Sequence, residues 1–281
     1  MKTLGYYNGL IDELDQITVP MLDRACYFGD GVYDVTFSRN HRIYMLEEHV
    51  ERIFQSAAQI GIFPQITPTE LCALLRSLVQ KMDCGEQWVY FQFTRGTDFR
   101  THAFPEHASP NLWIMLKPAT IKDTYKTLRC ITREDTRALH CNIKSLNLLP
   151  NVLATQATVD AGVDECILHR NGIVTECAHS NVSILRNGTL ITHPADNLIL
   201  AGTGRAHLIL QARKFGIPVL EKDYRLQDLM DADEVLLTSA SSLCMRIVEV
   251  DGTPVGGKAA YTVKQLQDAL LADFLEQTEK V

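Results

Sequence analysis

One lysine stands in an unusually apolar stretch of this sequence. Lys144 follows Ile143 and precedes the apolar residues Leu146, Leu148 and Leu149. Burial disfavours the charged form of an amine, and an uncharged amine can attack a carbonyl carbon. Most lysines nevertheless keep the ammonium in water and pack only the stem on apolar neighbours. Lys144 is therefore a candidate Schiff-base residue, with an ordinary surface lysine as the alternative.

Three further segments could bind an anion. The turn at residues 200–205 precedes a predicted helix, and helix N-termini offer free N–H groups and a positive dipole to a phosphate. A hydroxyl-rich run at 238–242 follows a predicted buried strand, and Arg52 lies on an amphipathic helix. The alternatives are a glycine turn capped by Thr203, a polar loop and a surface ion pair. Taken singly, none of these segments identifies a function.

Interleaved strands and helices must position these residues. The spacing predicts a strand over 42–45, helices over 47–60 and 69–82, and a strand over 88–94. Asn-Gly pairs at 171–172 and 187–188 predict two hairpins, followed by a helix over 202–215, a buried strand over 234–238 and a helix over 262–276. This hairpin-rich order predicts an α+β fold. Polar, turn-forming residues place a linker at 118–124, between domains of residues 1–117 and 125–281.

Composition limits the possible partners. The chain has 281 residues, a net charge of −7 and scattered basic residues, which oppose a nucleic-acid or anionic-membrane surface. It has no apolar run near the ~20 residues of a membrane span and no secretory signal. The eight cysteines form no C-x-x-C pair, and no His/Cys cluster has metal spacing. We therefore expect a soluble, cytoplasmic protein with reduced thiols and without a metal, nucleic-acid or membrane partner.

Seven segments, taken in order, resemble one enzyme family. They are FGDGVY (28–33), EHVER (48–52), FTRGT (93–97), RTH (100–102), CNIKSLNLL (141–149), ILHRN (167–171) and VTE (174–176). They are similar to the D-amino-acid aminotransferases, fold-type IV pyridoxal-phosphate enzymes whose relatives include branched-chain aminotransferases and aminodeoxychorismate lyases. The resemblance runs from Tyr7 to about Gly252. It implies a two-domain α+β fold with a smaller N-terminal α/β domain, a larger hairpin-rich C-terminal α/β domain, and the cofactor in the cleft between them.

The resemblance implies a role for each candidate residue. Lys144 would hold pyridoxal 5'-phosphate as a Schiff base and then move a proton, and Glu176 would pair with the pyridine nitrogen. The phosphate would contact Arg52, the N–H groups of Thr203 and Gly204, and the loop residues Ser239 and Ala240. Relatives often carry a hydroxyl where this chain has Gly204 and Ala240, so here the phosphate would depend more on Arg52 and Thr203. No role follows for His179.

The resemblance also implies the reaction. Tyr33 would grip the substrate α-carboxylate together with Arg100 and His102, which would reach across from the partner subunit of a homodimer. The expected activity is a ping-pong transfer of the amino group of a D-amino acid, such as D-alanine or D-glutamate, to 2-oxoglutarate or pyruvate. A branched-chain or (R)-amine transaminase, an aminodeoxychorismate lyase and a non-enzymatic cofactor-binding scaffold are the alternatives. The Arg100–His102 pair argues against the first three, and the intact Lys144 argues against the scaffold.

Overall fold

The computed structural model describes residues 2–280, which fall into two compact units. Unit 1 contains the residues up to Thr120, the segment Ile143–Asn147 and the C-terminal residues from Phe274. Unit 2 contains Ile121–Asn142 and Leu148–Asp273. Lys144 therefore belongs to unit 1, although the chain on both sides of its segment belongs to unit 2. Our division into domains of residues 1–117 and 125–281, joined by a linker at 118–124, stays a prediction.

Unit 1 is built on a six-stranded antiparallel sheet. The strands are β1 (Leu4–Tyr7), β2 (Leu10–Asp12), β3 (Gly31–Arg39), β4 (Arg42–Ile43), β5 (Gln87–Thr94) and β6 (Asn111–Pro118). Their order in the sheet is β2-β1-β6-β5-β3-β4. The helices of this unit are α1 (Ala25–Phe28), α2 (Leu46–Gln59) and α3 (Pro68–Val79).

Alternating side chains on β5 fix which face of this sheet is the core. Val89, Phe91 and Phe93 are buried in one cluster with Val50 and Ile53 of α2. The intervening side chains of β5 point to the opposite face, as the period of two in a strand requires. The structure confirms the predicted strand over 88–94 and the predicted helix over 47–60.

The boundaries around α2 and α3 have local causes. Thr67 and Glu70 form a capping box in front of α3, which the structure ends at Val79, three residues before the predicted end. The predicted strand over 42–45 is too long, because β4 ends at Ile43. Met45 adopts a left-handed conformation with φ 50°, and α2 begins at the next residue.

Unit 2 is built on a nine-stranded mixed sheet in the order β12-β11-β10-β13-β14-β7-β8-β9, with β15 paired to β14. The strands are β7 (Leu128–Glu134), β8 (Glu165–Arg170), β9 (Ile173–Cys177), β10 (Asn181–Arg186), β11 (Thr189–Thr192), β12 (Val219–Glu221), β13 (Glu234–Ser239), β14 (Leu243–Val250) and β15 (Thr253–Pro254). The remaining helices of the chain are α4 (Leu149–Ala161), α5 (Thr203–Lys214), α6 (Leu226–Met230) and α7 (Ala260–Gln277).

Two tight turns organise the hairpins of unit 2. Asn171 and Gly172 have φ of 50° and 80°, and Asn187 and Gly188 have φ of 50° and 71°, so each pair supplies two positive φ angles. They join β8 to β9 and β10 to β11, which confirms both predicted hairpins. The predicted buried strand is β13, and the predicted helices over 202–215 and 262–276 are α5 and α7.

Within residues 2–280, neither a membrane-spanning helix nor a group of metal ligands is found. No helix in this range is long and apolar enough to cross a lipid bilayer. No group of three or more His, Cys, Asp or Glu side chains in this part of the chain could hold a metal ion. The cysteines are free thiols, most of them buried.

Candidate active site

The segment that carries Lys144 runs alongside the start of β3. The Tyr33 N–H donates to the Lys144 carbonyl at 3.0 Å, and the Leu146 N–H donates to the Gly31 carbonyl at 3.0 Å. Glycine is required at position 31, because a Cβ there would lie 2.5 Å from the Phe93 carbonyl oxygen and 2.8 Å from Leu146 Cδ1. Residues 31–33 and 144–146, which belong to two of the segments that carry the family resemblance, therefore pack directly on each other.

The Lys144 side chain packs on an aromatic ring. It is half-buried, and its Nζ lies 4.5 Å from the centroid of the Tyr33 ring, within the range of a cation–π contact. The sequence suggested a lysine enclosed by its apolar neighbours, but Leu149 is 69% exposed on α4. The structure thus brings together the candidate Schiff-base lysine and the tyrosine of the candidate carboxylate clamp.

Arg52 belongs to a buried ionic group on the core face of unit 1, which we call the Arg52 cluster and which comprises Asp34, His49 and Arg52. Arg52 donates from Nε to Asp34 Oδ2 and from Nη2 to Asp34 Oδ1, both at 2.8 Å. His49 Nδ1 lies 2.7 Å from Asp34 Oδ1. Burial raises the pKa of the Asp34 carboxyl, but Arg52 and His49 together lower this pKa by more, so it lies below its ordinary value. The aspartate is therefore held as an anion.

Asp34 and His49 were missed at the sequence level, although both lie in or beside recognised segments. The available signal was periodicity. Asp34 follows Tyr33 on a strand whose alternate positions face the core, so its carboxylate needs a counter-ion. His49 and Arg52 are three residues apart on α2 and therefore share a helix face.

Arg100 and His102 lie on a loop that packs on Phe28. Arg100 Cζ is 4.8 Å from the centroid of the Phe28 ring, and the His102 ring is 5.2 Å from it. Arg24 anchors this loop, because its side chain donates a hydrogen bond to the Thr101 carbonyl at 2.8 Å. Both candidate clamp residues are exposed. Within the single chain, Arg100 and His102 thus both lie against Phe28, while Tyr33 lies against Lys144.

Glu176, on β9 of unit 2, accepts hydrogen bonds from several donors. The Asn181 amide donates to Oε2 at 2.8 Å, and the Leu200 N–H lies 3.2 Å from both carboxylate oxygens. Arg137 donates to Oε1. These donors hold the carboxylate in one orientation, and Arg137 was missed at the sequence level because nothing in its local pattern distinguishes it from a loop arginine.

Arg137 is held in turn by a second carboxylate. It donates to Asp135 from Nε and Nη2, both at 2.9 Å, and Arg170 Nε donates to Asp135 at 3.2 Å. Burial lowers the pKa of Arg137, but its bonds to Asp135 and the charge of Glu176 raise this pKa above its ordinary value. We call this group the Glu176 cluster: Asp135, Arg137, Arg170, Glu176 and Asn181.

The start of α5 lies against the end of β13. Gly202 is the N-cap of α5 and Thr203 its first residue, so the alternative in which Thr203 caps the helix is wrong. Gly202 has no side chain with which to cap the helix, and the first N–H groups of a helix have no acceptor within it. A Cβ at Gly204 would lie 3.2 Å from the N, C and O atoms of Ser239. The start of α5 therefore packs, through Gly204, on the backbone of Ser239, the residue before Ala240.

His179, for which the sequence implied no role, pairs with a buried glutamate of unit 2. Its Nδ1 lies 2.7 Å from Oε2 of Glu165, which also accepts a 2.7 Å hydrogen bond from the Ser180 hydroxyl. Burial raises the pKa of Glu165, but His179 and Ser180 lower this pKa by more. His179 thus acts as a hydrogen-bond partner of a buried carboxylate.

Comparison with known proteins covers nearly the whole chain. A family described as "Amino-transferase class IV" matches residues 31–250. A D-alanine aminotransferase from Listeria monocytogenes serotype 1/2a (strain 10403S) is 40% identical over 281 residues, covering 98% of this chain and 96% of the relative. One from Bacillus licheniformis is 35% identical over 283 residues, covering 100% and 99%.

A solved structure shares the fold. The branched-chain amino acid aminotransferase from Thermobaculum terrenum, in its PLP form, superposes with a TM-score of 0.86 at 22% identity, covering 98% of this chain and 94% of that one. The family match spans most of the chain and includes β3, the Lys144 segment and Glu176. This chain belongs to the class IV aminotransferase family.

Proposed function

We propose that this protein is a transaminase that moves the amino group of a D-amino acid, such as D-alanine or D-glutamate, to a 2-oxo acid. The observation that carries the proposal is the packing of Lys144 on Tyr33 in a chain 40% identical to a D-alanine aminotransferase. A lysine amine beside a phenol places a proton-transfer group next to a hydrogen-bond donor for a carboxylate.

The residues present fit pyridoxal 5'-phosphate, the cofactor of this family. Arg52 uses Nε and Nη2 to bind Asp34, and no hydrogen bond within residues 2–280 uses its Nη1. An arginine with one donor edge still available suits a phosphate. The start of α5 also points backbone N–H groups and the positive end of the helix dipole outward, which suits an anion. Glu176, held by Arg137, presents a carboxylate suited to a protonated ring nitrogen.

Each residue then has a defined task. Arg52, Thr203, Gly204, Ser239 and Ala240 would hold the phosphate, and Glu176 would hold the ring nitrogen. When bound, the cofactor supplies an electron-accepting ring that stabilises negative charge at the substrate Cα. Lys144 would accept the proton released at that Cα and later return it, as a general base and then an acid.

We propose that Tyr33, Arg100 and His102 bind the substrate α-carboxylate, with Arg100 and His102 supplied by the partner subunit of a homodimer. A guanidinium, a phenol and an imidazole give a carboxylate several donors. Arg100 and His102 are exposed on the loop that packs on Phe28, so both side chains are available to a second chain, which supports this proposal.

A substrate panel tests the choice of amino acid. The purified holoenzyme is mixed in turn with D-alanine, D-glutamate, L-leucine and an (R)-amine, without an acceptor, and the oxo acid or ketone formed is measured. We expect one equivalent of product per cofactor from the D-amino acids only. Product formed from L-leucine or from the amine, but not from the D-amino acids, would contradict the proposal. Lys144→Ala is the matched inactive control, and turnover retained by this variant would remove Lys144 from the mechanism.

Subunit complementation tests the shared clamp. Lys144→Ala and Arg100→Ala homodimers are each expected to be inactive with D-alanine. If the clamp comes from the partner, a mixed dimer contains one site with both residues intact, so refolding an equal mixture restores about a quarter of wild-type activity. A mixture that stays inactive would place Arg100 in the same subunit's site or outside it.

A further inference from the structure

The strand β3 presents two neighbouring polar residues to opposite faces of its sheet. Tyr33 contacts Lys144, whereas Asp34 points into the core and is 0% exposed. The strand periodicity of two enforces this division. Burying a carboxylate in an apolar core costs free energy unless its oxygens accept hydrogen bonds. The donors that contact Asp34 therefore indicate its role.

Every oxygen of Asp34 is engaged. Oδ2 accepts from Arg52 Nε at 2.8 Å. Oδ1 accepts from Arg52 Nη2 at 2.8 Å, from the Val35 N–H at 2.7 Å and from His49 Nδ1 at 2.7 Å. Because an ionised carboxylate only accepts, the imidazole must carry its proton on Nδ1. Four donors thus fix Asp34, and Asp34 fixes two of the three nitrogen positions of Arg52.

This arrangement contributes orientation more than stability. A buried ion pair gains little over apolar residues of the same volume, because desolvation of two charges offsets their attraction. The two parallel bonds instead define the plane and direction of the guanidinium. The remaining nitrogen, Nη1, can then point in only one direction.

We propose that Asp34 is a positioning residue that aims Arg52 Nη1 at the cofactor phosphate, and that His49 holds Asp34 in place for this purpose. The inference rests on the proposed function, because it needs pyridoxal phosphate as the ligand. It assigns Asp34 no contact with the substrate or the cofactor.

The test compares binding of pyridoxal phosphate and of pyridoxal, which lacks the phosphate, to the protein freed of cofactor. Dissociation constants are measured for wild type, Asp34→Asn, Arg52→Ala and the double variant. We expect Asp34→Asn to weaken binding of pyridoxal phosphate about tenfold, the size of one charge-assisted hydrogen bond, with pyridoxal unaffected. In the Arg52→Ala background the same change should add little.

Thr36→Val is the matched control. Thr36 is 0% exposed on the same face of the same strand, and its hydroxyl donates to the Tyr44 carbonyl at 2.7 Å. This variant removes a buried polar group without touching Arg52, so it should leave the ratio of the two dissociation constants unchanged. An equal loss of affinity for both ligands in Asp34→Asn, or no loss, would overturn the positioning role.

A second variant covers the case in which Asp34→Asn does not fold. His49→Leu keeps the Asp34–Arg52 ion pair and should raise the dissociation constant for pyridoxal phosphate about threefold, by loosening Asp34. His49→Asn, which restores an N–H donor near the position of Nδ1, should recover the wild-type value. An unchanged ratio in His49→Leu would overturn the inference. Equal binding of both ligands by the wild type would instead overturn the proposed function.

Discussion

The Arg52 cluster and the Glu176 cluster use the same charges with the roles reversed. In unit 1 the proposed cofactor-binding group is an arginine, and a buried aspartate holds it through two hydrogen bonds. In unit 2 the proposed cofactor-binding group is a carboxylate, and a buried arginine holds it. In both, an ion that must present one edge to a ligand is fixed through its other edge by a counter-ion.

The two clusters differ in which partners the carboxylates of Asp34 and Glu176 keep when the arginine bound to them is removed. Asp34 would keep only His49 and the Val35 N–H after loss of Arg52. Glu176 would keep Asn181 and Leu200 after loss of Arg137. Each carboxylate therefore keeps two donors, and the difference lies in the cations. The Arg52 cluster has a single arginine, whereas in the Glu176 cluster Arg170 still donates to Asp135 when Arg137 is lost.

The largest expected effect is on stability without cofactor. Arg52→Ala should lower the free energy of unfolding by about 3–5 kcal/mol, because it strands a buried carboxylate. Arg137→Ala should cost less, about 1–3 kcal/mol, since Glu176 keeps the hydrogen bonds from Asn181 and Leu200 and Asp135 keeps Arg170 as its counter-ion. Denaturant unfolding measures both. Arg76→Ala is the control, because its ion pair with Glu47 is 57% and 65% exposed and contributes at most about 1 kcal/mol. The reverse order would show that Arg137 contributes more to the free energy of unfolding than Arg52.

A second prediction is that the Glu176 cluster affects the rate of the reaction, whereas the Arg52 cluster affects the affinity for the cofactor. Glu176→Gln should lower kcat about 100-fold, by analogy with removal of one electrostatic partner of a reacting system, and leave cofactor affinity nearly unchanged. Arg52→Ala should mainly weaken cofactor affinity. Steady-state kinetics with D-alanine at saturating cofactor, beside cofactor titration, makes the distinction. Similar losses of affinity in both variants would remove the division of roles.

A third prediction concerns pH and the one histidine in the two clusters. Burial, with the charges of Arg52 and Lys144, holds the pKa of His49 below its ordinary value, against the opposing pull of Asp34. The unfolded chain therefore binds a proton that the folded chain does not, and stability present above about pH 6.5 is lost as pH falls toward the folded pKa. The slope is at most about 1.4 kcal/mol per pH unit for one proton. His49→Asn should flatten this part of the unfolding curve, and an unaltered slope would show that other groups cause it.

The smallest expected effect is at the α5 start. Gly204→Ala places a Cβ 3.2 Å from three backbone atoms of Ser239, so the helix start must shift by a few tenths of an ångström. The dissociation constant for pyridoxal phosphate should rise about twofold, since backbone N–H donors remain. Ala206→Ser, an exposed change on the same helix, is the control. A tenfold rise in Gly204→Ala would show that the start of α5, and not Arg52, dominates phosphate binding.

The site residues that could be predicted from the sequence are those whose side chains are themselves reactive or charged and that lie in recognisable motifs. Lys144, Arg52 and Glu176 were singled out within short segments that resemble a family, and the hairpins followed from Asn-Gly pairs that need positive φ. Asp34, His49 and Arg137 were not predicted. Those residues act on a charged neighbour brought close by folding, and a buried counter-ion leaves no mark in local periodicity beyond a polar residue at a core position.

The amino-acid sequence alone was enough to predict the family, the two hairpin turns and the candidate lysine, because turn chemistry and short motifs are local properties of the chain. Only the tertiary structure decided that the Lys144 segment joins unit 1, that Gly31 makes room for it, and that the Tyr33 ring contacts its amine. Only it decided which buried ion holds which functional one. The physical reason is that an ion pair in a core depends on distances of a few ångströms between residues far apart in sequence, which the packing of whole elements sets.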